Sequence, residues 1–402
     1  MNRLLHRLFA SLAPGRSWLR HGVSTILMLV LLLACTTPRD VAPPQSASAD
    51  AHSATPATAA PAAVPSPAAE APVANHVLHD PTLTEAIQQY DEGRYEAAIE
   101  ALSAIAQDTS MDIPVRREAL QYLGRAHLAR NEMEGVRQAL HSLLELEPPL
   151  VELNPDVEPP PLMRLYYEVR KDFTGSYEME RASAGLQTLA IMDFSNASLD
   201  DRERFAPLQQ GLPSLLINQV NGATDLKVVE RERIQWILDE LELQRDSDIV
   251  DQATAVQTGA ILGVNAVLFG SYIVHEGQMT LSSRLVSVET SEILLTAQVQ
   301  GEANAFGSLV TDLSARLTEA LNASLHEGAE ADTQPQSLDA MLAYSEGLAA
   351  LERGNYALAH DRFEEATALD PDYQRAQMRI SSLQPVLAAS QTNAPTSDND
   401  SP

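Results

Sequence analysis

One spacing of glycine, tyrosine and alanine occurs near both ends of the chain. Gly93, Tyr95, Ala98 and Leu102 return as Gly354, Tyr356, Ala359 and Phe363. A glycine followed by apolar residues at intervals of three and four is a turn entering an amphipathic helix. Residues 82–147 read as helices throughout. Ala86, Tyr90, Tyr95, Ala98, Ile99, Leu102 and Ile105 keep helical spacing around the break at Gly93. A second pair runs through Leu120, Leu123, Gly124 and His127, breaks near Asn131, and resumes at Met133, Val136, Leu140 and Leu143. Pro159-Pro160-Pro161 then sets off Leu162, Leu165, Tyr166 and Val169 as one further helix. At the other end, Leu338 to Ala350 and Tyr356 to Leu369 form a single pair. One pair cannot bury its apolar face alone, so each block must pack on something else.

This pattern resembles the tetratricopeptide repeat, a helix–turn–helix unit of about 34 residues. The C-terminal copy is the fuller match, ending Leu369-Asp370-Pro371, and Gly347 precedes Gly354 as Gly124 precedes Asn131. In the N-terminal copies His127 stands where the repeat prefers an aromatic. The tyrosines at repeat positions read as core.

Between the blocks the period changes. Leu186 to Phe194 reads as an apolar strand, Leu208 to Val220 as a helix, and Leu226 to Val229 as a short strand. Glu232 to Leu243 and Thr254 to Leu262 read as helices, the second ended by Gly263. Ala266 to Val274, Met279 to Val288 and Glu292 to Gln300 read as three strands in meander order, and Phe306 to Leu321 as a closing helix. The expected domain is α/β with a mixed sheet.

An ordered set of short pieces here resembles the CsgG-like family, named for the curli-secretion lipoprotein. The pieces are Leu189-Ala190-Ile191-Met192-Asp193-Phe194, then Val228-Val229-Glu230-Arg231, Gly270-Ser271, Arg284-Leu285-Val286 and Glu292-Ile293. Ser291 stands where the family usually has glycine. The resemblance implies assembly through the soluble domain, with itself or with a partner. The curli member is a pore whose barrel comes from two long inserted hairpins. A membrane strand needs about 9–11 residues, whereas the first insertion point offers only His275 to Gln278 and the second only Gly301 to Ala305. The expectation is therefore the soluble domain without the channel.

The N-terminus carries a different signal. Arg3, Arg7, Arg16 and Arg20 precede an apolar run from Ile26 to Leu33, then Ala34 and the chain's only cysteine, Cys35. A basic flank, a short apolar core and a small residue before the cut mark a secretory signal. Leu32-Leu33-Ala34-Cys35 resembles the lipobox of bacterial lipoproteins, which implies acylation at Cys35 and cleavage before it. Thr36, in place of the aspartate that retains lipoproteins at the inner membrane, implies the outer membrane, facing the periplasm. Residues 36–75 are nearly all Ala, Pro, Ser and Thr, a composition that cannot bury a core.

The resulting organisation is a signal peptide (1–34), a disordered tether (35–78), an N-terminal helical repeat domain (79–175), a CsgG-like α/β domain (183–325), a C-terminal repeat (336–384) and a disordered tail (385–402). The net charge of −28 argues against nucleic acid and anionic lipid surfaces as partners. No phosphate loop, GxGxxG, HExxH, GxSxG or cysteine cluster occurs, so the sequence implies no enzyme, cofactor or metal. His275-Glu276 falls in a turn, and Asp193 at a strand end reads as a cap. Glu230-Arg231 is the most distinctive charged pair. It reads either as an ion pair ordering the strand-to-helix turn or as a contact with another subunit or partner. The functional expectation is a non-enzymatic, lipid-anchored scaffold that binds proteins of an envelope machine for secretion, surface fibres or flagella. Competing expectations are a subunit of a curli-type secretion pore and a regulator of a peptidoglycan synthase.

Overall fold

A computed structural model describes residues 80–146, 153–177, 187–221, 223, 226–240, 251–323 and 334–392. The signal peptide, Cys35, the tether and the last ten residues lie outside the described residues.

The N-terminal block is five helices: α1 (Pro81–Asp91), α2 (Tyr95–Gln107), α3 (Ile113–Ala129), α4 (Met133–Leu146) and α5 (Pro160–Thr174). Asp80 caps α1, accepting from the main-chain N–H groups of Thr82 and Leu83 at 2.9 and 3.0 Å. Pro81 and Pro160 sit at first helical positions, where a missing N–H is harmless. The two expected breaks are left-handed residues, Gly93 at φ 73° and Asn131 at φ 59°. His127 turns its Nδ1 to Glu132 at 2.8 Å and packs against Gly135.

The middle domain follows as β1 (Gln187–Asn196), α6 (Arg202–Phe205), α7 (Leu208–Val220), β2 (Leu226–Val228), α8 (Arg231–Glu240) and α9 (Gln252–Leu262). It closes with β3 (Ala266–His275), β4 (Gln278–Ser287), β5 (Ile293–Glu302) and α10 (Phe306–Ala320). The five-stranded sheet has the order β2-β1-β3-β4-β5. β1 is parallel to β2 and β3, and β3, β4 and β5 form the antiparallel meander. The β3–β4 connection is two residues, Glu276 and Gly277, both at positive φ, as a tight hairpin requires. Ser291 also lies at positive φ, 59°, which explains a preference for glycine there.

β1 carries a bulge. Ile191 pairs with Leu268 and Phe194 with Gly270, so Met192 and Asp193 together oppose Phe269. Simple alternation would put Phe194 on the opposite face from Ile191. The extra residue returns it to the same buried cluster as Leu189 and Ile191. Gly270 makes room: a Cβ there would stand 2.3 Å from the Ser282 carbonyl oxygen and 2.8 Å from the Phe194 ring.

The C-terminal block is α11 (Leu338–Glu352), α12 (Tyr356–Leu369) and α13 (Gln374–Thr392). Gly347 lets the Phe363 ring seat on α11, since a Cβ would lie 2.4 Å from it. α13 corrects the expected organisation. Helix continues to Thr392 where a tail was expected from 385, and Val386 and Ala389 are buried. Packing supplies what composition did not, because Val386 joins the core cluster of the N-terminal repeats.

That cluster runs from the N-terminal helices through Ile234, Trp236 and Ile237 of α8 to Met192, Val267 and Phe269 on one face of the sheet. The opposite face packs on α7 and α10, and its cluster takes in Leu338, Met341 and Leu342 of α11. Gly211 of α7 allows this approach: a Cβ there would lie 1.9 Å from the Ser345 hydroxyl oxygen. Neither repeat block stands alone, as the helix count required.

Candidate functional site

Arg231 opens α8 at the end of the β2 strand, with the Glu230 carbonyl accepting from the Arg233 and Ile234 N–H groups at 3.1 and 3.2 Å. Its guanidinium donates to both carboxylate oxygens of Asp193 at 3.0 Å each, and also to Glu352 at the end of α11. The β1 bulge re-aims the strand at Asp193. Burial alone would lower the Arg231 pKa, but Asp193 and Glu352 outweigh it and hold the cation fixed. Glu352 moves the other way: burial pushes its carboxyl up against the pull of Arg231, and neighbouring Asp193 adds to the rise.

Arg231 is 7% exposed, and these bonds tie the middle domain to the C-terminal repeat.

A second buried cluster lies beside it. Asp156, in the segment leading to α5, accepts from Arg375 at 2.9 and 3.2 Å and from Arg379 at 2.9 Å. Arg375 also donates to the Ser214 carbonyl and hydroxyl oxygens on α7 at 3.2 and 3.1 Å. Arg379 reaches the Pro155 carbonyl at 2.8 Å and pairs with Glu232 of α8. Burial would raise the Asp156 carboxyl, but Arg375 and Arg379 outweigh it and hold it below the usual aspartate value. α13 thus fastens the N-terminal block, α7 and α8 together.

The two ion clusters form the back of a cleft where the three blocks meet. Met163, Tyr167, Trp236, Leu348, Leu351 and Tyr356 give it an apolar and aromatic wall. The Tyr167 and Trp236 rings are 5.7 Å apart between centroids. Arg164 and Asp239 face each other at 3.8 Å beside it, both largely exposed.

A second groove runs between α1, α3 and α13. Tyr90 meets Tyr95 and Tyr122 edge-on at 5.6 and 5.3 Å, and the Arg125 guanidinium lies 4.6 Å over the Tyr122 ring. Arg125 is held in place by Glu158 through bonds of 2.8 and 2.6 Å. Gln374, Gln377, Met378 and Gln384 of α13 form the facing wall. These tyrosines are half-buried: Tyr90 and Tyr122 pack against the N-terminal core, as the sequence reading expected, and their outer edges line the groove.

The remaining candidates are structural. His275 Nδ1 lies 3.0 Å from an Asp200 oxygen that also accepts from the Glu276 N–H, pinning the hairpin. His360, Asp361 and Glu364 lie within reach of one another on α12, with both acids exposed. Asp156, Glu352, Arg375 and Arg379 escaped the sequence reading. The one local signal is Arg375 and Arg379 four residues apart around buried Ala376 and near Leu383, a pair of charges on an apolar helix face.

Residues 176–283 match the family model described as curli production assembly/transport component CsgG, and residues 83–148 and 344–384 match that of the tetratricopeptide repeat. The α/β domain resembles CsgG, and the flanking helices are tetratricopeptide-type, as the sequence reading expected. No curated protein matches the chain. Several solved structures are similar in part, three of them as follows. The LpoB C-terminal domain from Escherichia coli is 17% identical over 31% of this chain and 87% of that one, with a TM-score of 0.24. Lipoprotein GNA1162 from Neisseria meningitidis is 13% identical over 33% and 96%, with a TM-score of 0.26. A PelC dodecamer from Paraburkholderia phytofirmans is 13% identical over 36% and 93%, with a TM-score of 0.21.

Proposed function

We propose that this protein, whose α/β domain matches the CsgG model between tetratricopeptide repeats, is a non-enzymatic lipoprotein scaffold of the cell envelope. It is anchored through Cys35 to the outer membrane, faces the periplasm and binds other envelope proteins. The observation that carries this reading is the clamping of the α/β domain between two repeat blocks by buried ion clusters. Such an arrangement holds a half-buried tyrosine groove rigidly in place, and rigid aromatic surfaces suit protein recognition. The short loops flanking β4 and following β5 oppose the pore reading, because neither has the length of a membrane hairpin.

The test has two parts. Cys35→Ser should abolish incorporation of labelled fatty acid, and continued labelling would remove the anchor. A photo-cross-linker placed at Gln377, in the groove, should form a defined protein adduct in intact envelopes, and Tyr122→Ala should diminish it. No adduct, or one insensitive to Tyr122, would overturn the groove as the binding surface.

A further inference from the structure

β5 is an outer strand of the sheet, and among the described residues no other strand pairs with its far edge. The Ala303 N–H donates to the Gly277 carbonyl. The β4–β5 register carries that pairing back through Gly301, Val299, Ala297 and Leu295. The main-chain N–H and C=O groups of Thr296, Gln298 and Gln300 therefore point away from β4, to the open side. An extra residue at Leu294 bulges the strand at one end of this run, and the turn into α10 closes the other. Natural sheets blunt an open edge with lysine, proline or a bulge. The run Leu295 to Gly301 contains no lysine, no proline and no charge, in a chain of net charge −28. Among the described residues, one side chain reaches the edge groups. Arg316 of α10, exposed and paired with Asp312 at 3.0 Å, lies 3.5 Å from the Gln298 carbonyl oxygen. So long and exposed a contact yields at little cost.

We propose that β5 pairs antiparallel with β5 of a second copy about a two-fold axis at Gln298, joining two five-stranded sheets into one. The occupant follows from the symmetry of the strand itself. With Gln298 opposite its counterpart, Thr296 falls opposite Gln300 of the second copy, and each outward N–H meets a C=O. The side chains match in the same register. On the exposed face, Gln298 meets Gln298 and Thr296 meets Gln300, so amides and hydroxyls face hydrogen-bonding partners. On the α10 face, Ala297 meets Val299 and Leu295 meets Gly301, apolar against apolar. No like charges meet along this run, whereas two copies at −28 repel each other over the rest of their surface. The edge shares no residue with the tyrosine groove, so this interface stands or falls apart from the groove.

Cysteine pairing tests the register, because the chain's only cysteine is Cys35. The full chain carrying Gln298→Cys is oxidised in gently lysed cells, and the wild-type chain sets the background from Cys35. Gln298→Cys should give a disulfide-linked band at twice the chain mass. Leu199→Cys, exposed on the loop after β1, should not. Thr296→Cys should fail alone, because two copies of that position stand about 13 Å apart along the strand, beyond the reach of a disulfide. Gln300→Cys should fail alone for the same reason, and the two should link when co-expressed. Adding Gln298→Lys to both chains of that mixed pair sets two ammonium groups side by side. It should cut the link by about tenfold or more without lowering the melting temperature. No band from Gln298→Cys above the wild-type background overturns the proposal. So does linking by Thr296→Cys or Gln300→Cys alone as strong as that of the mixed pair, or a link that survives Gln298→Lys. A disulfide from Gln298→Cys to a different protein, in place of the doubled chain, would assign the edge to a partner's strand and overturn the two-fold pairing.

Discussion

Three buried arginines join the blocks beside their shared hydrophobic clusters, and each depends on acids from a distant part of the chain. Arg231 and Glu352 are 121 residues apart, and Arg375 and Asp156 are 219 apart. Removing one partner of a buried ion pair strands the other charge and costs about 3–5 kcal/mol. Arg231→Ala should therefore destabilise the fold by that order, measured by chemical denaturation. Asp156→Asn should also destabilise it, because Arg375 then keeps no carboxylate and Arg379 keeps only Glu232. Acid separates the two carboxylates. Unfolded aspartate titrates at about 3.9, and the folded Asp156 value lies below it. Stability from Asp156 is thus fully present above about pH 4 and is lost as pH falls through the folded value. Glu352 is raised in the fold, so its contribution is present below the ordinary glutamate value and is lost as pH rises through the folded one. Glu352→Gln removes that opposing trend and leaves Arg231 its two bonds to Asp193, so it should cost much less than Arg231→Ala. Calorimetry from pH 7 down to pH 3 should show the wild-type melting temperature falling below about pH 4, with a flatter acid limb in Asp156→Asn. An unchanged limb in that variant would mean that other carboxylates govern acid unfolding.

At the level of elements, the β1 bulge sets both the core and the ion cluster. It returns Phe194 to the α7 side and positions Asp193 for Arg231. Gly270 opposite it has no room for a Cβ, and the nearest obstacle is the Ser282 main-chain oxygen, which cannot rotate away. Gly270→Ala should cost about 1–3 kcal/mol as an overpacked site, with loss of Arg231 protection visible as faster hydrogen exchange at the start of α8. The bulge was not legible in the sequence. β1 is buried on both faces over Thr188 to Met192, so its residues show no alternation from which a one-residue slip could be read. Elements bounded by clear breakers were legible. Expected bounds for α7, β3, β4 and α10 fall within one residue of those observed, because period and breakers coincide there. α13 was missed for a different reason. A single pair ending at Leu369 was expected, and Pro385 with the Ala-Ser composition after it read as tail, whereas docking on α3 stabilises the helix. Truncation after Asp372 should lower the melting temperature strongly, since it strands Asp156 and Glu232. Truncation after Thr392 should leave it unchanged.

For the whole molecule, the two faces of one sheet serve the two repeat blocks. One face shares a cluster with the N-terminal helices and the other with α11, so the sheet is the shared centre of a three-part body. That arrangement bears directly on channel formation. A pore built by this kind of domain needs strands long enough to cross the hydrocarbon core, about 9–11 residues each. β3 and β4 are each ten residues long, but they are consumed inside the sheet: β4 pairs with β3 along its whole length and with β5 on its other side. The turn between them is Glu276-Gly277, and three 3-10 residues, Ala303–Ala305, carry β5 directly into α10. Freeing these strands for a membrane would expose Leu281, Leu285, Ala297 and Val299, which now pack under α10 and α7. It would also undo the seat of α11. Purified protein added to planar bilayers should therefore give no stepwise conductance, in the presence or absence of its acyl chains. Reproducible single-channel steps would show that the sheet can be dismantled or that other segments line a pore, and the scaffold reading would fall with them.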